Sequence, residues 1–206
     1  MKTKPIKLFT FTALVCILFL QGFWLYNTYT LLNTEFKKNI SKILIKSLLK
    51  EDMLRFDDPS RKGKWKEKAV YGFQPDGDDY VNNRVLQDWL YNENYPISLS
   101  KVDSIFITES KRSYSQLRYS FIITDSLGKQ TDFISNVSKP INKHLAYRET
   151  IQLRNIAPEY ITLVIDSPYK IIFGKMLLML AGSVVVVLFV AFSLIWQIMI
   201  INKQKR

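Results

Sequence analysis

The sequence predicts an α+β domain carried between two transmembrane helices, and three observations predict it. Residues 8–26 and 176–201 are runs of 19 and 26 residues without a charge. More than half of the net positive charge sits in the short tails outside these runs, at the chain ends. Between the runs, one stretch with helical spacing and two short helical stretches precede four short stretches with strand character, bounded by turn signals.

At 1.5 Å per residue the two apolar runs reach roughly 28 and 39 Å, against a hydrocarbon core of about 30 Å. A buried core helix seldom runs so far without a charge, so both are expected to span a lipid bilayer. Lys2, Lys4 and Lys7 precede the first run, and Lys203, Lys205 and Arg206 follow the second. These tails hold six of the eleven net positive charges, while residues 27–174 carry 22 Lys and Arg against all 18 acidic residues. That distribution is the positive-inside pattern for two cytoplasmic ends. It divides the chain into a cytoplasmic tail (1–7), a first span (8–26), an extracytoplasmic domain (27–170), a second span (171–201) and a basic cytoplasmic tail (202–206). The expected location is the inner membrane, with the central domain periplasmic. Segments such as WKEK and ESKR mix signs instead of building one basic face, which excludes nucleic acid as a partner. The first run ends in QGFWLYN, where Phe23, Trp24 and Tyr26 suit an interfacial aromatic belt better than a cleavage site, so it is expected to remain as an anchor. The second run exceeds what a bilayer needs and is free to tilt or to project as helix. Lys175 is expected to snorkel, and Ala181, Gly182 and Ser183 would let another helix approach closely.

No Gly or Pro interrupts the chain from the first span to about Phe56, so one long helix is expected. Leu32, Phe36, Ile40, Ile43, Leu44 and Leu48 share one face of it. That stripe suits either a dimer seam or the domain's own core. Pro59 and Gly63 in DDPSRKGK end the helix, and residues 57–79 are polar. Residues 82–91 predict a helix with Val85, Leu86, Trp89 and Leu90 inward. A second helix follows in SLSKVDSIFITES, capped by Ser98 or Ser100, with Leu99, Val102, Ile105 and Phe106 as its apolar face. QLRYSFIIT, QTDFISNV, HLAYRETIQL and YITLVID read as four strands joined by short turns, the first being DSLGK with Gly128 suited to positive φ. Lys139-Pro140 separates the two hairpins, and DSPYK leads into the second span. Such an antiparallel sheet packs one face on helices and leaves the other wet.

Residues with chemical potential are sparse. Cys16, the only cysteine, lies in the first span, so the outer domain has neither disulfides nor a cysteine zinc site. His144 is the only histidine and suits a strand-edge surface position better than a metal site. Asp76, Asp78 and Asp79 resemble the start of a calcium loop, but Gln87 stands where its closing Glu belongs. No phosphate-binding glycine loop occurs. Asn39 and Asn136 fit glycosylation acceptors, which matter only in a eukaryote. The sequence therefore offers no catalytic, metal-binding or cofactor-binding residue, no cofactor is expected, and the ligand-binding residues are unknown. Tyr119, Tyr147 and Arg148 on the strands are candidates to line a pocket.

Three stretches, FWLYNTYTLLNTEFKKNISKIL, YPISLSKVDSIFITES with YSFIITDSLGK, and SPYKIIFGKMLLMLAGSVVVVLFVAFSLIWQIMIINKQKR, give a resemblance. The chain resembles the input half of Bacteroidetes-type two-component sensor histidine kinases. The likeness covers most of the chain and rests on residue types and order. It implies a PAS-like sensor arrangement, a homodimer, a stimulus on the outer side and a kinase core or response partner in the cytoplasm. Kinases of that family continue into a phosphoacceptor helix and an ATP-binding domain. This chain stops at Arg206 and His144 lies in the outer domain, so no catalytic residue carries over. The expected product is a truncated or split sensor kinase, or an orphan sensor, and not an enzyme by itself. A non-signalling two-span envelope protein, or a membrane subunit whose outer domain binds a protein, is the alternative.

Overall fold

The computed structural model describes residues 4–56, 79–114, 117–138, 141–142 and 144–203. The expected breakers Pro59 and Gly63, the acidic residues Asp76 and Asp78, and Lys139-Pro140 lie outside the described residues. Four helices and four strands follow in order: α1 (Lys4–Phe56), α2 (Asp79–Asn92), α3 (Leu99–Ser110), β1 (Tyr119–Thr124), β2 (Gln130–Ser135), β3 (Tyr147–Gln152), β4 (Tyr160–Ile165) and α4 (Pro168–Lys203). Two compact units are present, one made of residues 1–36 with 169–206 and the other of residues 37–168.

In the second unit the four strands form one antiparallel sheet in the order β2-β1-β4-β3. Short turns join β1 to β2 and β3 to β4, as the sequence predicts. The connection from β2 to β3 differs: it carries the chain from one edge of the sheet to the other. Composition explains the order. YSFIIT and YITLVI are apolar nearly throughout and take the two central places. QTDFIS and YRETIQ carry charge and polarity, and edge strands tolerate both.

Strand alternation then sorts the faces. Tyr119, Phe121 and Ile123 of β1, Ile161, Leu163 and Ile165 of β4, and Ile151 of β3 are all buried. The register places Phe121 opposite Leu163, and Ile123 and Ile151 opposite Ile161, so these residues share one face. The Phe106 ring of α3 meets Tyr119 and Phe121 edge-on, at 4.9 and 5.2 Å between centroids. On the opposite face Thr150 and Thr162 share a 3.0 Å hydrogen bond at an exposed position. Helices on one face and solvent on the other is the arrangement the sequence predicts.

The stripe on α1 is spent on the protein's own interior. Ile40 and Leu44 have no exposed surface, and Phe36 and Leu48 are buried, while Leu32 and Ile43 are half-buried. α3 runs antiparallel to the end of α1: Lys46 and Lys50 meet Glu109, Glu51 meets Ser98, and Arg55 meets Tyr95. Local chemistry closes the elements. Asn94 takes φ 65°, and the Asn94 and Tyr95 amides donate to the Tyr91 and Leu90 carbonyls, a Schellman closure of α2. Gly128 takes φ 77° in the β1–β2 turn, where Asp125 Oδ1 accepts from the Leu127 and Lys129 amides.

One expected core position is corrected. Val85 is 42% exposed, and the buried place on α2 beside Leu90 goes to Gln87. A polar side chain wins because α1 presents it with charged partners, described below.

Replacing Phe106 with Ala removes the ring that joins α3 to the sheet and should cost about 3–5 kcal/mol. Urea unfolding of the full chain in detergent, followed by near-UV circular dichroism, checks this. Leu127→Ala, at a 90% exposed position, should stay within about 0.5 kcal/mol of the parent chain.

Candidate functional site

The buried stripe of α1 does not stop at Leu48. Positions 51, 52 and 55 continue it at the same three- and four-residue steps, and they hold Glu51, Asp52 and Arg55. Glu51 and Asp52 have no exposed surface and Arg55 is 5% exposed. Burying charge is costly unless it is paired and hydrogen-bonded. Arg55 supplies the pairing: its guanidinium meets Asp52 Oδ1, and its Nε lies 2.7 Å from Glu51 Oε2. Neighbouring elements supply the remaining bonds. Gln87 Nε2 donates to Asp52 Oδ1 at 2.5 Å, Arg55 donates to Gln87 Oε1 at 3.0 Å, and Arg55 Nη1 donates to the Tyr95 carbonyl at 2.7 Å. Glu51 Oε1 accepts the Ser98 amide at 3.1 Å. Ser98 is the N-cap residue of α3, as expected, yet its hydroxyl makes no capping bond. Glu51 brings a carboxylate to that helix start instead, where the dipole favours negative charge.

Burial raises both carboxyls. Asp52 is pushed up to about 8 by burial, against the opposing pull of Arg55 and reinforced by the neighbouring Glu51 charge. Burial likewise raises Glu51, with Arg55 and the Ser98 amide opposing it.

One turn earlier, α1 and α3 meet through a second charged set. Lys46 Nζ lies 2.9 Å from Glu109 Oε2, and Lys50 binds Glu109 Oε1. The two lysine bonds hold the Glu109 carboxyl down at about 2. The Glu109 side chain is only 6% exposed, while each lysine is 49% exposed. Between the helices lies a groove of about 470 Å³. Lys50 and Glu109 stand at one end, and Met53, Leu54 and Ile105 form its apolar wall, with Ser104 and Thr108 along α3.

The three strand residues singled out from the sequence do not come together. Tyr119 is buried, packs on Phe106 and donates its hydroxyl to Asp103 at 2.6 Å. Tyr147 lies on the same sheet face, at the β3 edge, with its hydroxyl on Glu149 and the Lys37 ammonium 5.7 Å from its ring centre. Burial raises both phenols. Arg148 pairs in register with Val164 and so points to the opposite face. His144 is exposed, and its amide donates to Asn142. Among the described residues no three His, Cys, Asp or Glu side chains form a metal-binding group. The Asn136 carboxamide is engaged at the start of β1, accepting from the Tyr119 amide and donating to the Leu117 carbonyl, both at 2.8 Å.

In the other unit, the Ser183 hydroxyl donates to Gln21 Oε1 at 2.9 Å, and the Tyr29 and Phe173 rings lie 5.8 Å apart. Ala181, Gly182 and Lys175 are exposed, as is Cys16. Among the described residues, two helices are long and apolar enough to span a membrane.

The raised carboxyls have a stability consequence. Between the ordinary carboxylate range and about pH 8 the folded chain keeps the Asp52 proton that the unfolded chain has released. The stabilisation is therefore complete below that range and is lost as pH rises through about 8. Urea midpoints measured from pH 5 to pH 9 should fall as pH rises, and Asp52→Asn should flatten the slope by up to about 1.4 kcal/mol per pH unit, the most that one proton can contribute.

Compared with known proteins, the chain matches no family model, no curated protein and no solved structure.

Proposed function

We propose that this protein is a membrane-anchored sensor module. Its two apolar helices cross the inner membrane, its ends lie in the cytoplasm, and the unit of residues 37–168 is periplasmic. In this reading a stimulus biases two arrangements of that unit, and α4 carries the difference to a cytoplasmic histidine kinase core. The chain itself binds and transmits, and the chemistry belongs to the kinase core. The proposal carries the family likeness of FWLYNTYTLLNTEFKKNISKIL and the return segment into a physical mechanism.

One observation supports it above the others: the apolar helices are continuous with the core of the folded unit. α1 contributes Ile40, Leu44 and Leu48 to the interior, together with the ionic group at its end. α4 begins at Pro168, three residues after β4, a central strand of the sheet. No loose linker intervenes at the start of α4 or within α1. A ligand that favours one packing of the core therefore acts on helix ends directly, and a switch needs only such a difference in affinity between two states.

Disulfide crosslinking tests the reading. Cys16 is first replaced by Ser, and single cysteines are placed along residues 183–198. A homodimeric receptor gives crosslinks with helical period whose yields change with growth condition. Protease added to spheroplasts should also digest residues 37–168. Yields indifferent to every condition, or a protected domain, would sink the proposal.

A further inference from the structure

The groove between α1 and α3 has an ordered polarity. Lys50 lies one turn before Met53 and Leu54 on α1, so the three share a helix face. Glu109 and Ile105, four residues apart on α3, stand opposite in antiparallel order. One end is thus ionic and the other apolar. At the ionic end two ammonium groups meet one carboxylate, leaving one positive charge in excess. An ammonium has three donors, and Glu109 occupies one on each lysine in the bonds described above. Both lysines remain half exposed and open to another acceptor. At the apolar end Met53 and Leu54 are 44% and 56% exposed, side chains that gain by leaving water.

We propose that this groove binds a free single-chain carboxylate amphiphile, with its carboxylate on Lys46 and Lys50 and its chain along Met53, Leu54 and Ile105. Charge and apolarity select this class together. A soluble anion leaves the apolar wall wet, a neutral chain leaves the ammonium donors unused, and a cationic chain meets the excess positive charge. The volume, about 470 Å³, falls in the ordinary range for small-molecule sites. The assignment deepens the sensor reading, on which it rests for a biological role, by naming the stimulus class.

The probe is dodecanoate carrying ¹³C at the carboxylate, titrated into the full chain in zwitterionic nanodiscs with empty nanodiscs as the blank. Saturable binding beyond the blank is expected, with a changed carboxylate chemical shift. Lys46→Gln with Lys50→Gln should weaken binding by about tenfold or more. Leu54→Asn, at an exposed position that leaves the core intact, should weaken it several-fold, and thermal melts should confirm that both variants fold. Dodecanol and dodecyltrimethylammonium should compete poorly. Binding equal to the blank, or equal competition by the cationic chain, overturns the proposal. Saturable binding without any change in α4 crosslinking upholds the site and counts against the sensor reading alone.

Discussion

Two carboxyl groups stand side by side in a protein interior, and the arrangement of three helices follows from what they require. Glu51 and Asp52 can be buried only where a cation and hydrogen-bond donors reach them. Arg55 comes from the next turn of the same helix. Gln87 comes from α2 and the Ser98 amide from the start of α3. Satisfying these groups fixes where α2 and α3 meet the end of α1. The antiparallel course of α3 along α1 then places Glu109 beside Lys46 and Lys50 and opens the groove between the two helices. Removing one partner of a buried ionic set strands the others, which is a larger penalty than the set's net gain.

Much of the fold was legible because the signals are local. The two charge-free runs, the unbroken stretch to Phe56, and the alternation in YSFIIT and YITLVI each depend on neighbours in sequence. Strand order is not local. It follows from comparing the apolarity of the four strands, a comparison that explains why β1 and β4 take the centre. The exchange of Val85 for Gln87 could not be read from α2 alone, since only Asp52 and Arg55 make an amide welcome inside.

Other features were readable and missed. Glu51, Asp52 and Arg55 continue the spacing of Ile40, Leu44 and Leu48, and the stripe predicted from the sequence ends at Leu48. Tyr147 and Arg148 are adjacent on a strand, so alternation already sends them to opposite faces. Gln21 is the one carboxamide in the first apolar run, and its bond to Ser183 gives two apolar helices a polar contact. Polar side chains of this kind join helices where the surroundings offer no water.

The passage from β4 to α4 turns on one torsion. A residue preceding proline is normally extended, yet Ser167 takes φ 49° while its hydroxyl bonds to Asp166. A side chain held in that region costs on the order of 1–3 kcal/mol. The surrounding contacts, including the Asp166 amide on the Arg118 carbonyl at 2.8 Å, hold it there. That tension is of the same size as the free-energy gap between a major conformer and a sparsely populated minor one. Ser167 therefore keeps that cost stored at the passage from β4 into α4.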